Sequence, residues 1–177
     1  MDEVKQEWKD ELEAIALHRG WIVNSYAQVE FLLGHLTVAA QRVPEYRKEG
    51  WRIQRNLERR ASEVRDMLKH GPFNPYASKI GPLIEEFCDP ALAATRHLLV
   101  HGFCEFHFTL AGDMAVQFRR FVPGTKTTPD KIEKRYFRRS ELAAERERLV
   151  QSAQAFVDAV SALCLDLGFG DQMDPST

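Results

Sequence analysis

Residues 8–42 read WKDELEAIALHRGWIVNSYAQVEFLLGHLTVAAQR, and the spacing within this stretch decides the fold class. Its apolar side chains Leu12, Ile15, Ile22, Tyr26, Leu33, Leu36 and Ala40 recur at intervals of three, four and seven, the period of one buried helical face. The pattern predicts a long helix, or two collinear ones meeting at Gly20, since glycine in a helix interior costs up to about 1 kcal/mol relative to alanine. Pro44 and Gly50 then mark a connection.

The same period continues downstream. Ile53, Leu57, Ala61, Val64 and Leu68 predict a second helix over Trp51–Lys69, with Arg52, Arg55, Arg59 and Glu63 on its other face and His70-Gly71-Pro72 as its stop. Gly71–Ser78, with Pro72, Asn74 and Pro75, reads as an ordered loop. A third helix is expected over Lys79–His101, kinked or broken at Asp89-Pro90, with Gly102 placed for a left-handed C-terminal cap. The pattern then changes. Phe103–Leu110 alternates Phe106 and Phe108 against His107 and Thr109, Ala111-Gly112-Asp113 supplies a turn, and Ala115–Val122 is again strand-like. A third short strand is expected around Ile132–Phe137. Ser140 is positioned to cap a last helix ending near Leu167, whose apolar positions Leu149, Ala153, Phe156, Val160 and Leu163 are nearly heptad-spaced. The reading is a mainly α chain: an antiparallel bundle of four to five helices with a β-hairpin inserted before the last. Residues 1–170 form one domain in this reading, and 171–177 a flexible tail.

Composition agrees with a folded domain. The chain has 177 residues, 44% hydrophobic and 28% charged, which excludes disordered and fibrous classes and suits one well-buried core. A net charge of −2 gives no overall attraction to a polyanion, so nucleic-acid binding would need local patches. Two stretches qualify, Arg47–Lys69 at net +4 and Arg119–Arg139 at net +6. In the second, Arg119-Arg120 and Arg138-Arg139 flank Phe118, Phe121, Tyr136 and Phe137, a pattern that suits either packing or the stacking of RNA bases. No apolar run is long enough to span a membrane, and the acidic start Met1-Asp2-Glu3 is unlike an export signal. Cys88, Cys104 and Cys164 form no CxxC pair and read as core thiols in a reducing compartment, the expectation for a cytoplasmic protein.

Chemistry concentrates in Arg96-His97-Leu98-Leu99-Val100-His101. Cleaving RNA without a metal needs a base for the 2′-hydroxyl proton, an acid for the departing 5′-oxygen, and cationic donors on the phosphate. Histidine serves the first two roles near neutrality, and arginine the third. Arg96 and His101 are five positions apart, about 140° around an ideal helix, so arginine's length must close the gap. One histidine serves poorly as both acid and base, whereas a symmetric dimer would bring two together. Glu30 lies on the apolar stripe of the first helix, where it reads either as a buried carboxylate that needs a partner, with Arg96 or His101 as the one expected, or as a glutamate at the stripe's solvated edge. His97 and His101 also have the i,i+4 spacing of two metal ligands, with His107 or Cys104 as a third, but no HExxH or CxxC supports a zinc site and no cofactor is expected.

The R-x4-H spelling of Arg96 and His101, set before Gly102 in this helical plan, resembles the HEPN superfamily. The resemblance implies a metal-independent endoribonuclease, usually assembled across a homodimer, with Arg96 and His101 as catalytic residues and His97 at the polar position where many members have asparagine. It also implies a toxin or defence role, with an antitoxin or inhibitor protein as partner. Some relatives are non-catalytic binding modules. Two readings of the segment therefore stand, a ribonuclease site and a contact surface for a nucleotide, nucleic acid or protein.

Overall fold

The long N-terminal helix is continuous: α1 spans Asp2–Ala40, 39 residues, and passes through Gly20 without interruption. In the computed structural model, residues 2–108 and 114–169 are described. A 3-10 turn, Pro44–Glu49, follows α1 and ends at Gly50, whose φ of 68° is left-handed. Helix α2 spans Leu57–Met67, so it begins later than Trp51. The reason is local. Asn56 is extended and its side chain accepts the Arg59 backbone N–H at 3.0 Å, an N-cap that starts the helix there and leaves Ile53 outside it and exposed.

The segment expected to be a loop is a 3-10 helix, Gly71–Tyr76, leading directly into α3, Ala77–Phe87. The break at Asp89-Pro90 is real. Helix α4 spans Pro90–His101, and the Asp89 carboxylate accepts the N–H groups of Ala91 and Leu92 at 2.9 and 3.1 Å, with proline at the first position, where its missing N–H costs nothing. Strands β1 (Phe103–Phe108), β2 (Met114–Val122) and β3 (Lys131–Phe137) form an antiparallel sheet in that order, so the expected hairpin carries a third strand. The turn expected at Ala111-Gly112-Asp113 and the tail 171–177 lie outside the described residues.

Helix α5 spans Arg139–Asp166. Ser140 is inside it, not at its cap. The Arg138 carbonyl accepts from Glu141 and Leu142, while the Glu141 carboxylate reaches back to the Arg138 N–H at 2.7 Å, half of a capping box. The left-handed glycine cap appears at the far end instead, at Gly168 (φ 73°), with Phe169 N–H on the Cys164 carbonyl at 2.7 Å. The protein is thus mainly helical with a small three-stranded antiparallel sheet. No described helix is long and apolar enough to cross a membrane.

The chain divides into two compact units, one of Met1–Asn24 with Ala93–Val150, the other of Ser25–Leu92 with Gln151–Thr177. The first buries Ile15, Ile22, Leu98, Leu99, Val116, Phe118, Leu142 and Leu149. The second buries Leu33 and Leu36 of α1, Leu57 and Val64 of α2, Ile80 and Ile84 of α3, and Phe156, Val160 and Leu163 of α5. Its largest buried ring after the aliphatic layer is Tyr46, whose hydroxyl lies 3.0 and 2.7 Å from the carbonyl oxygens of Met67 and His70 and accepts the Phe73 N–H at 3.0 Å. Gly71 has a left-handed φ of 61° directly against that ring, 3.0 Å from where a β-carbon would stand.

Candidate active site at the end of helix α4

The end of α4 is set by Gly102 and Arg19. Gly102 donates to the Leu98 carbonyl at 2.8 Å, but its φ is not among the left-handed values, so the expected cap conformation is corrected. Glycine is needed for a different reason: a β-carbon there would stand 2.2 Å from the Leu98 carbonyl oxygen. The terminal carbonyls are met by a side chain. Arg19 of α1 donates its Nε–H to the Leu99 carbonyl at 2.6 Å and directs Nη2 to the carbonyls of Val100 and Gly102, each at 3.4 Å. Its guanidinium also lies over the Phe118 ring, 5.3 Å from the centroid. Arg19 was not singled out from the sequence. Its position between Ile15 and Ile22, on the edge of the buried stripe, was the available signal.

On this anchored end the three sequence-predicted residues come together in part. Arg96 and His97 are half-buried and His101 is exposed. The Arg96 Nη2 lies 3.5 Å from His97 Nε2, and the rings of His97 and His101 are stacked with centroids 6.0 Å apart and planes 24° apart. His97 is thus the residue of the three that neighbours both of the others. Directly before Arg96, the hydroxyl of buried Thr95 accepts from Arg135 of β3 at 2.8 Å, tying α4 to the sheet.

His101 lines an open depression of about 520 Å³ with Phe103, Arg119, Arg120, Phe121 and Ile132. The two arginines have carboxylate partners: Arg119 pairs with Glu105 at 3.3 Å and Arg120 with Glu133 at 2.7 Å. In the first basic stretch Arg65 and Lys69 are likewise paired, with Glu85 and Asp66, each at 2.6 Å.

Glu30 finds its partner in Arg60, not in Arg96 or His101. The Arg60 Nη1 lies 3.9 Å from the Glu30 carboxylate and donates to the Glu30 backbone carbonyl at 2.9 Å. The need for a partner was legible; which cation supplied it was not.

Among the described residues, no three His, Cys, Asp or Glu side chains gather as a metal would require. His107 packs edge-on against Tyr136 at 5.4 Å, with Glu105 at 3.9 Å. Burial pushes the Cys104 thiol up, against the opposing pull of Arg19, so it is protonated and poorly nucleophilic at neutral pH. Burial raises the Cys88 and Cys164 thiols too. A further histidine, His18, escaped the sequence reading. It is buried on α1 with Nδ1 unpartnered, and its pKa is lowered by burial first, then by Arg146 and Arg139, against Glu11.

No protein-family model, curated protein or solved structure matches the chain.

Proposed function

We propose that this chain is a HEPN-like, metal-independent endoribonuclease built as a helical bundle, with Arg96, His97 and His101 as its reacting groups. The observation that carries the reading is the cluster itself: one guanidinium and two imidazoles within a few ångströms on an anchored helix end, with His101 opening onto a depression. In the reaction, a neutral imidazole removes the 2′-hydroxyl proton as that oxygen attacks phosphorus. An imidazolium gives a proton to the 5′-oxygen as its bond to phosphorus breaks. The products are a 2′,3′-cyclic phosphate and a 5′-hydroxyl end. His101, exposed on the depression, is assigned the acid/base role. His97 supports it by hydrogen bonding, and Arg96 meets the charge that develops on the phosphate. A homodimer would bring a second copy of the cluster to the same cleft, and an antitoxin or inhibitor protein would act by covering it.

The test is RNA cleavage with EDTA present, comparing wild type with His101→Ala and Arg96→Ala. Cleavage to cyclic-phosphate ends by wild type alone supports the reading. Equal cleavage by all three proteins rejects the residues.

One observation favours a second reading, a non-catalytic binding module. Both arginines lining the depression already hold carboxylate partners, which lowers the positive charge that a phosphate would meet there. A stable complex with RNA that is never cut would select this reading.

A further inference from the structure

The register of the sheet sorts its side chains onto two sides. Phe103 of β1 is opposite Arg119 of β2, which is opposite Lys134 of β3, and Phe121 is opposite Ile132. Because side chains alternate along a strand, these five and Tyr136 share one side. The other side carries Val116, Phe118 and Phe137, all buried. The first side is open to solvent at its rings, with Phe121 82% exposed, Phe103 61%, Tyr136 56% and Ile132 51%, while Gln117 beneath them is buried. Isolated exposed apolar residues are ordinary, but aromatic rings grouped on one sheet face mark a binding surface.

Cations are interleaved with the rings. Arg119 lies over Phe103, 5.1 Å from the ring centroid, while paired at 3.3 Å with Glu105 of the same side, and Lys134 is exposed on the neighbouring strand. A protein interface would have lysine depleted at its core. Flat rings with cations between them are instead what unpaired bases and their phosphates need, because every base offers a π-face and every linkage a negative charge. The depression lined by Phe103 and Phe121 is also the one that His101 opens onto.

We propose that the outer face of the β1–β2–β3 sheet is a stacking platform for single-stranded RNA, with Phe103, Phe121 and Tyr136 receiving bases and Arg119 and Lys134 contacting phosphates. A base stacked on Phe103 or Phe121 places its neighbouring linkage beside His101. The inference deepens the ribonuclease reading and rests on it for the identity of the ligand. It predicts a substrate that is single-stranded at the cut.

The platform is tested by fluorescence anisotropy with a short fluorescein-labelled 2′-O-methyl oligouridine, which cannot be cut through its blocked 2′-oxygen. Comparison probes are an abasic oligomer and an RNA duplex. Phe121→Ala and Tyr136→Ala are each expected to weaken binding about tenfold, the scale of one lost base stack, with unchanged thermal unfolding. Phe121→Trp should restore it. Wild-type affinity in both alanine variants, or equal affinity for the abasic probe, overturns the platform. So does a loss of dimer in sedimentation of Phe121→Ala with unchanged oligouridine affinity, which would assign the face to a second copy. The cleavage assay is independent: uncut RNA with Phe121-dependent binding sinks the nuclease reading and keeps the platform. Cleavage that is indifferent to Phe121 and Tyr136 does the reverse.

Discussion

In the unit of Ser25–Leu92 with Gln151–Thr177, polar side chains turn inward and are satisfied by the fold. The Tyr46 hydroxyl joins Met67, His70 and Phe73, Arg60 holds the backbone of Gln54 and Glu30, and Ser152 donates to Glu86 at 2.9 Å. In the unit of Met1–Asn24 with Ala93–Val150, the end of α4 and one sheet face turn polar and aromatic groups outward. The contrast separates two uses of the same residue types. An inward hydrogen bond holds the fold, because losing one partner strands the other in a dry interior. An outward imidazole contributes little to stability and is available to a ligand. Substitutions in the two units should therefore register in different assays.

The largest effect is expected at the outward cluster. His101→Ala and Arg96→Ala should each lower RNA cleavage by about 10²–10⁴, the usual worth of a positioned acid–base or charge-stabilising group, while the urea unfolding midpoint of His101→Ala stays at the wild-type value. A variant that loses activity and stability together would break the contrast, by making the cluster part of the scaffold.

Tyr46 is the mirror image. Truncating a fully buried aromatic side chain costs about 3–5 kcal/mol, so Tyr46→Ala should shift urea unfolding by that amount. Tyr46→Phe keeps the ring and removes only the hydroxyl, stranding the Phe73 N–H at a cost of about 1–3 kcal/mol. Unfolding midpoints that rank the two variants in the opposite order would mean that the ring is not the load carried by this core.

Much of this contrast could be read from the residues, and the gaps have physical causes. Helical period located α1 and most of α5, because a buried face leaves a repeating trace in sequence, and the Asp89-Pro90 cap signal located the break before α4. The start of α2 was misplaced, since Ile53 fits the period while the Asn56 cap, a single hydrogen bond, overrides it. Gly102 was recognised as necessary but for the wrong reason: a close approach to the Leu98 carbonyl and a left-handed turn both demand glycine and look alike in sequence. Arg96, His97 and His101 are neighbours in the chain, so their grouping was legible. Arg19 and Arg60 act across 80 and 30 residues, and no local pattern says which carbonyl or carboxylate a distant arginine will meet. The open side of the sheet needed the register of three strands at once, and alternation within one strand does not supply it.

Arg19 sharpens the contrast because it belongs to both halves of it. It is an inward donor that holds an outward site. Arg19→Ala should cost about 1.5–3 kcal/mol by removing charge-assisted bonds to the α4 carbonyls. It should also lower cleavage by more than the stability change explains at temperatures where the variant remains folded, because the His101 end of the helix loses its anchor. Arg19→Lys should recover part of the stability but little of the positioning, since an ammonium lacks the fork that spans several carbonyls. Cleavage unchanged in a folded Arg19→Ala variant would detach the site from its support.

The smallest effect is a pH dependence that comes from the histidines turned inward. His18 in one unit and His35 in the other are each held below the ordinary value of 6.5, His18 by burial and then Arg146 and Arg139, His35 by burial and then Arg42. A histidine whose folded pKa is depressed takes up its proton more readily in the unfolded chain. Its contribution is complete above pH 6.5 and declines as the pH falls from there through the lower folded value, after which this group adds no further slope. Urea midpoints measured downward from pH 7.5 should fall below pH 6.5 in wild type, and less steeply in His18→Gln. The His18→Gln, His35→Gln double variant should be flatter still. If the double variant weakens over the same interval as steeply as wild type, the proton responsible is bound elsewhere, and the inward histidines are not the source of the pH dependence.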